Sequence, residues 1–227
     1  MKICTIILTY DNNLYNYFDS IKRKYLDQKK EDYYFVYNGT DHSKHALDEK
    51  SYNYFSDVSH PSGIPVMFDK FVDVIKSGLL DEYDYVIRAN SSTFINMDVV
   101  RNFLKNSSRN NVYAGFFFPD WHFVSGACII FSKDVLQALA CNANRVNKHQ
   151  EDDLAIADAM RSCNIPKTYI DRYCFESHIQ DTHITVPDDN TIVQALSYPQ
   201  IRVRNNSDRD TIDKGIWNSI SRILNIE

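Results

Sequence analysis

Glycine and proline are scarce, six of each in 227 residues. The sequence contains neither G-x-G-x-x-G nor G-x-x-x-x-G-K-[ST]. Dinucleotide dehydrogenases and P-loop enzymes are thereby disfavoured, because their phosphate cradles depend on those glycines. The five cysteines (Cys4, Cys128, Cys141, Cys163, Cys174) are odd in number and form no C-x-x-C pair. That speaks against a zinc site or a disulfide framework, and for reduced thiols in the cytoplasm. No apolar run approaches the roughly 20 residues of a membrane-spanning helix. Met1 to Tyr10 is too short for a secretory signal with its cleavage site, and reads as a first strand. A basic excess is missing too: 25 Lys and Arg face 30 Asp and Glu, a net charge of −5. Nucleic acid would meet no broad positive surface, so it is not an expected partner.

What is present is a globular composition, 44% hydrophobic, in a chain long enough to bury a full core. Tyr, Asn, Asp, Lys and Ile are abundant, which fits an AT-rich genome such as that of a low-GC bacterium or a large DNA virus. Strand-like and helix-like segments alternate, predicting an α/β protein with a central sheet flanked by helices. "KICTIILTY" is continuously apolar, as a strand buried on both faces is. "NNLYNYFDSIKRKYL" carries Leu14, Tyr17, Phe18, Ile21 and Leu26 at helical spacing. "YYFVYNGT" predicts a second strand ending at Asn38-Gly39, and "SYNYFSDV" a short third. "IPVMFDKFVDVIKSGLL" predicts a helix, with Pro65 in its first turn and Gly78 near its end. Then come the strand of "YDYVIRANSSTFINM" and the helix "MDVVRNFLKNS". "NVYAGFFF" and "FVSGACIIF", separated by Pro119 to His122, predict an antiparallel pair, so the sheet is mixed, mainly parallel. Ser132 is placed to N-cap the helix "KDVLQALACNANRV". "EDDLAIADAMRSCNI" predicts another helix, "KTYIDRYCF" a last strand, and "DKGIWNSISRILN" a terminal amphipathic helix.

Ligands of open α/β sheets bind at the carboxyl ends of parallel strands. Those ends are Thr9-Tyr10-Asp11, Asn38-Gly39-Thr40 and Arg88 to Ser92, all short and polar. Each alone fits an ordinary turn; three together point weakly to a small-molecule cleft. Glu151-Asp152-Asp153 opens a helix, where the dipole stabilises anions. Clustered carboxylates also repel one another, which raises the pKa of one and equips it as a general base. The two readings weigh about evenly on residue types alone. Trp121 and His122 precede Ser125-Gly126, an arrangement suited to stacking a sugar face beside an approachable backbone; a lone Trp more often covers a core edge. His183 is a candidate metal or phosphate contact, though an isolated His is more often neither. Arg202, Arg204 and Arg209 form a local basic cluster, either a solvated surface or a diphosphate clamp.

In order along the chain, these landmarks resemble the GT-A fold (Rossmann-related) of nucleotide-sugar glycosyltransferases, especially the fringe and β-1,3-galactosyltransferase type. "VIRANSSTFIN" resembles the K-x-D-D-D-x-F-[IV]-N strand end in spacing and in its closing Phe94-Ile95-Asn96. "FVSGACIIFSKDV" is similar to Y-x-S-G-x-x-Y-x-x-S-x-D, and "EDDLAIADAM" to E-D-V-x-x-G. The match covers roughly residues 83 to 160, and the size and plan are similar to small viral transferases that decorate capsid proteins. The resemblance implies one GT-A-like domain over 1–227, with a nucleotide-binding half (1–110) and an acceptor-binding half (111–227). It implies a nucleotide-sugar donor, UDP-sugar first, held by Thr9, Tyr10, Asp11, Asn38, Arg88, Asn90, Ser91 and Ser92. Trp121, His122, Ser125 and Gly126 would border the sugar and a glycan or glycoprotein acceptor. The base of an inverting transfer would be Asp153, with Asp152 second, because that register puts small Ala157 where the pattern has Gly. The expected setting is the cytoplasm, that of the host for a viral chain.

The sequence departs from the pattern at one place. Mn²⁺ or Mg²⁺ is typical of the family, held by the acidic triplet, but Asn90, Ser91 and Ser92 carry no charge. Neutral donors are poor sole ligands for such cations. Metal-independent transfer is therefore expected, with Arg88 or the Arg202, Arg204, Arg209 cluster stabilising the leaving diphosphate. Two other readings compete. One is a non-catalytic nucleotide-sugar or glycan-binding module of the same fold. The other is a metal-dependent phosphohydrolase or nucleotidyltransferase, which would need more carboxylates at the strand ends than Asp11.

Overall fold

The computed structural model describes residues 1–39, 49–55, 64–148, 150–176, 185–205 and 208–226. His183 and Thr40 lie outside them. The chain forms two compact, interleaved units: Met1–Tyr10, Asp32–Asn90 and Ser107–Ile170 make the first, and Asp11–Glu31, Ser91–Asn106 and Asp171–Glu227 the second.

The first unit holds a seven-stranded sheet. Its strands are β1 (Ile3–Leu8), β2 (Asp32–Gly39), β3 (Ser51–Phe55), β4 (Tyr85–Asn90), β6 (Tyr113–Gly115), β7 (Cys128–Ser132) and β8 (Lys167–Tyr169). Their order is β3-β2-β1-β4-β7-β6-β8. Pairing is parallel throughout except for β7, which runs antiparallel to both β4 and β6. β1 pairs on both sides, in register Ile6↔Tyr34 with β2 and Ile6↔Arg88 with β4. All six of its residues are buried, which is why its sequence shows no polar alternation. Helices α2 (Ile64–Lys76), α4 (Lys133–Asn142) and α5 (Asp152–Ser162) belong to the same unit. One core joins Phe68, Phe71 and Val74 of α2, Leu136 and Leu139 of α4, and Ile156 and Met160 of α5 with Ile6, Val86 and Ile129 of the sheet. Gly78 ends the α2 region at φ 81°, a left-handed conformation only glycine adopts without strain. The protein is thus a mixed α/β fold with a mainly parallel central sheet, as its alternating pattern predicts.

The second unit holds α1 (Asn13–Gln28), α3 (Met97–Lys105), α6 (Asp189–Ala195), α7 (Lys214–Ile223) and a small sheet. That sheet is ordered β5 (Thr93–Ile95), β10 (Gln200–Arg204), β9 (Tyr173–Glu176). Its aromatic centre stacks Phe18 on Trp217 at 5.2 Å and sets Phe94 edge-on to Trp217 at 5.8 Å. The Phe94-Ile95-Asn96 ending has a local purpose. Phe94 fills this centre, while Asn96 caps α3 by accepting from Asp98 N–H at 3.1 Å.

Three expectations needed correction. "KTYIDRYCF" is two strands: buried Ile170 donates its N–H to the Gly115 carbonyl, and after it β9 joins the other sheet. Of "FVSGACIIF" only the last four residues, from Cys128, are strand, and β7 runs on to Ser132. Ser132 precedes α4, yet its hydroxyl accepts from Val112 N–H instead of capping the helix. No helix among the described residues is long and apolar enough to cross a membrane.

Candidate active site

The carboxyl ends of β1, β2 and β4 lie side by side in the sheet of the first unit. Thr9 is fully buried, its N–H donating to the Val36 carbonyl at 3.1 Å. Its own carbonyl accepts from Lys70 Nζ at 2.8 Å, and that ammonium sits 5.0 Å over the Tyr10 ring. Lys70 is fully buried on α2. Sequence reasoning missed it, because one Lys between Phe68 and Phe71 looks like the polar side of an amphipathic helix. Asn38 is the penultimate residue of β2. Asn90 ends β4 and donates its N–H to the Ala127 carbonyl at 3.1 Å.

A buried polar arrangement lies between β4, the irregular stretch before β7, and the start of α5. Arg88 has no exposed surface at all. Its Nη1 donates to the Gly126 carbonyl and its Nη2 to the Asp152 carboxylate, whose side chain is 18% exposed. Nε has no partner. Gly126 also presents its own N–H, from the preceding peptide group, to Asp153 Oδ2 at 3.0 Å. The fit at 126 is tight: a Cβ there would stand 3.1 Å from Arg88 Nη1 and 3.4 Å from Asp153 Oδ2, so the guanidinium would have to shift by a few tenths of an ångström.

Asp153 is the carboxylate with unusual electrostatics. Burial raises its pKa, and the Asp152 charge adds to the rise, while the Gly126 N–H and Arg88 oppose it. The helix-start dipole favours the anion, so loss of water is the stronger influence here. Below lies Tyr113, whose hydroxyl accepts from Val124 N–H at 3.3 Å. Its phenol is held above its ordinary range by burial first, then by the charges of Asp153 and Asp152.

Trp121 sits in an aromatic group, stacked on Phe123 at 4.6 Å and edge-on to Phe118 at 4.8 Å. Phe118 and Tyr169 are about half exposed, at 49% and 51%. Lys167 Nζ lies 4.0 Å over Phe117 and donates to the Trp121 carbonyl. His122 is exposed. Ser125 N–H donates to the Phe116 carbonyl at 2.8 Å, tying the aromatic stretch to the Ser125-Gly126 segment. The structure therefore brings Arg88, Gly126, Asp152 and Asp153 into direct contact, with Ser125 next in the chain.

Asp11, Ser91 and Ser92 belong to the second unit. Asp11 is exposed and accepts from Asn16 Nδ2 at 2.9 Å. Ser91 is buried and donates its hydroxyl to Asp19 Oδ1 at 2.8 Å. Lys22 Nζ donates to the Ser91 carbonyl, lies 3.6 Å from Asp19 and 5.2 Å over Trp217. Burial lowers the Lys22 pKa to about 8 against the pull of Asp19. Ser92 is buried and accepts at its carbonyl from Val203 N–H at 2.9 Å. The three arginines are not one free patch. Arg202 is buried and pairs with Glu176 at 3.1 Å, and Arg209 pairs with Asp213 at 2.7 Å. Arg204 is exposed.

Among solved structures, the chain is similar to a viral-capsid glycosyltransferase. That structure is of "a glycosyltransferase involved in the glycosylation of the major capsid of PBCV-1". The TM-score is 0.57, the identity 10%, and the match covers 95% of this chain and 98% of the other. At that identity the likeness is one of fold, and it agrees with the GT-A-like plan of the sheet. No family model and no curated protein matches the sequence. The divalent cation typical of GT-A enzymes does not fit the residues at 90–92. All three are neutral, and the Ser91 hydroxyl is already given to Asp19. Among the described residues, no three His, Cys, Asp or Glu side chains converge on a common point.

Proposed function

We propose that the chain is a glycosyltransferase that moves a sugar from a nucleotide-sugar donor to a hydroxyl of a glycan or glycoprotein acceptor. UDP-sugars are the first donors to test. The reading is carried by Asp153: a partly buried carboxylate of raised proton affinity, oriented by a backbone N–H, on a chain of GT-A-like fold.

In the proposed step the acceptor oxygen attacks the anomeric carbon as Asp153 takes the hydroxyl proton. The new carbon–oxygen bond forms while the bond to the nucleoside diphosphate breaks, and the configuration inverts. Donor contacts are assigned to Thr9, Tyr10, Asp11, Asn38, Asn90, Ser91 and Ser92, at or just beyond strand ends. Trp121, His122 and Ser125 are assigned to the sugar and acceptor; Trp121 offers a flat apolar face and Ser125 a hydroxyl. No step is routed through a metal.

Thermal-shift measurements against UDP-, GDP- and CMP-sugars, with and without Mn²⁺, test the reading, because a bound donor raises the melting temperature by mass action. Transfer or slow donor hydrolysis should follow for the stabilising donor, and Asp153→Ala should abolish it while leaving donor binding. Stabilisation by a donor without any turnover would favour the binding-module reading. No stabilisation by any donor would reject both.

A further inference from the structure

The resemblance to GT-A transferases implies that Arg88 meets a diphosphate. Its geometry suits a different task. A guanidinium with no exposed surface needs its charge balanced where it lies. Asp152 supplies the opposite charge and the Gly126 carbonyl a second acceptor. The planar fork thus ties three pieces of chain together: β4, the segment at 126, and the first turn of α5.

We propose that Arg88 is a positioning residue that sorts two adjacent acids into different roles, holding Asp152 as a fixed counter-ion and leaving Asp153 as the proton acceptor. The proposal rests on the transferase reading for its purpose, but not for its geometry. Gly126 is the coupling element. Its carbonyl, in the peptide to Ala127, accepts from Arg88, while its N–H, in the peptide from Ser125, donates to Asp153 Oδ2 at 3.0 Å. The two peptide planes meet at the Gly126 Cα, so the arginine anchors the segment whose N–H orients the base. The absence of a side chain at 126 lets the fork approach undisturbed, since a Cβ would stand 3.1 Å from Arg88 Nη1 and push it aside.

Among the described residues, the charged and titratable groups acting on Asp153 are Asp152 of α5, Glu151 just before it, Arg88 from β4 and Tyr113 from β6. Arg88 is the one cation of that described set. Without it, two neighbouring carboxylates would face each other uncompensated and titrate as a pair. With it, Asp152 is held in an ion pair and Asp153 remains available to take up and release a proton. This also removes Arg88 from the groups that could meet a leaving diphosphate.

The test is a carbon-13 NMR titration of labelled aspartates, with Asp152 and Asp153 assigned from Asp152→Asn and Asp153→Asn. In folded Arg88→Met the Asp153 midpoint should move upward, and its curve should couple to that of Asp152. Arg88→Lys, which keeps charge but not the fork, should restore only part of the shift. Gly126→Ala should move Asp153 in the same upward direction by displacing the guanidinium and the N–H. Should Arg88→Met not fold, Asp152→Asn gives the second reading: Asp153 should move downward as its anionic neighbour is lost and Arg88 is released toward it. An unchanged Asp153 midpoint in either folded variant overturns the proposal. These titrations involve no donor, so failure of donor binding would count against the transferase reading alone.

Discussion

Two buried ion clusters, one in each unit, invite comparison. In the second unit Lys22 and Asp19 are matched, each 5% exposed, and what remains is absorbed by Ser91 and the Trp217 face. In the first unit Arg88 is fully buried, but it faces two acids, and Asp152 is 18% exposed. One cation against one anion closes a cluster and makes it part of the scaffold. One cation against two carboxylates leaves an acid in excess, and desolvation raises the proton affinity of that acid, Asp153. The difference teaches that a buried charge becomes chemistry only where compensation is incomplete and water can still reach.

The largest effect expected from this contrast is on turnover. Asp153→Asn should lower transfer or donor hydrolysis by about 10²–10⁴-fold, the contribution typical of a general base. A carboxylate with raised folded pKa stabilises the fold only while it stays protonated. That contribution is lost as pH rises through the folded value. At neutral pH the Asn variant should therefore melt no lower than the parent, and the acid limb of the parent's pH–rate profile should lie above the ordinary carboxylate range. A large loss of stability would make Asp153 structural and erase the contrast.

Next in size is a stability effect in the second unit. Lys22→Met strands Asp19 in the interior and should cost about 3–5 kcal/mol in urea unfolding. The double variant Asp19→Asn, Lys22→Met should recover most of that. A single variant with no loss would show that the cluster is not closed at all.

A smaller effect comes from pH. Lys22 has a folded pKa of about 8 against an ordinary 10.5, so between those values the unfolded chain binds more protons. Stability should then rise with pH across that window in the parent relative to the double variant, as chemical unfolding at several pH values would show. A flat difference would mean that Lys22 is better solvated than its burial indicates. The smallest expected effect is none: EDTA should leave transfer intact, because the Asn90 to Ser92 stretch has no anion to offer a cation. Activity lost to EDTA and restored by Mn²⁺ would show that a metal is held elsewhere.

Legibility in the sequence followed the strength of the local pattern. β1 and α1 were visible because one is continuously apolar and the other keeps a helical stripe. β5, β10 and α6 were not, being three to seven residues long with too few repeats to show a period. At the candidate site, Asp152, Asp153 and Gly126 were readable from motif order. Lys70, Lys22 and Asp19 were not, since a charged residue on an amphipathic helix looks the same whether its neighbour is water or protein.

By itself the sequence determined the alternation of strands and helices, the Gly at 126 and the pair of acids at a helix start, since each depends on neighbours within a few residues. The tertiary structure decided which acid is neutralised and which is left over. It decided too that the polar step at 90–92 ends one unit and opens the other, with Ser91 already paired to Asp19. Those outcomes depend on residues 64 to 72 positions apart, Arg88 with Asp152 and Asp19 with Ser91, brought together by folding alone. Charge compensation is a property of space, and the order of residues does not record it.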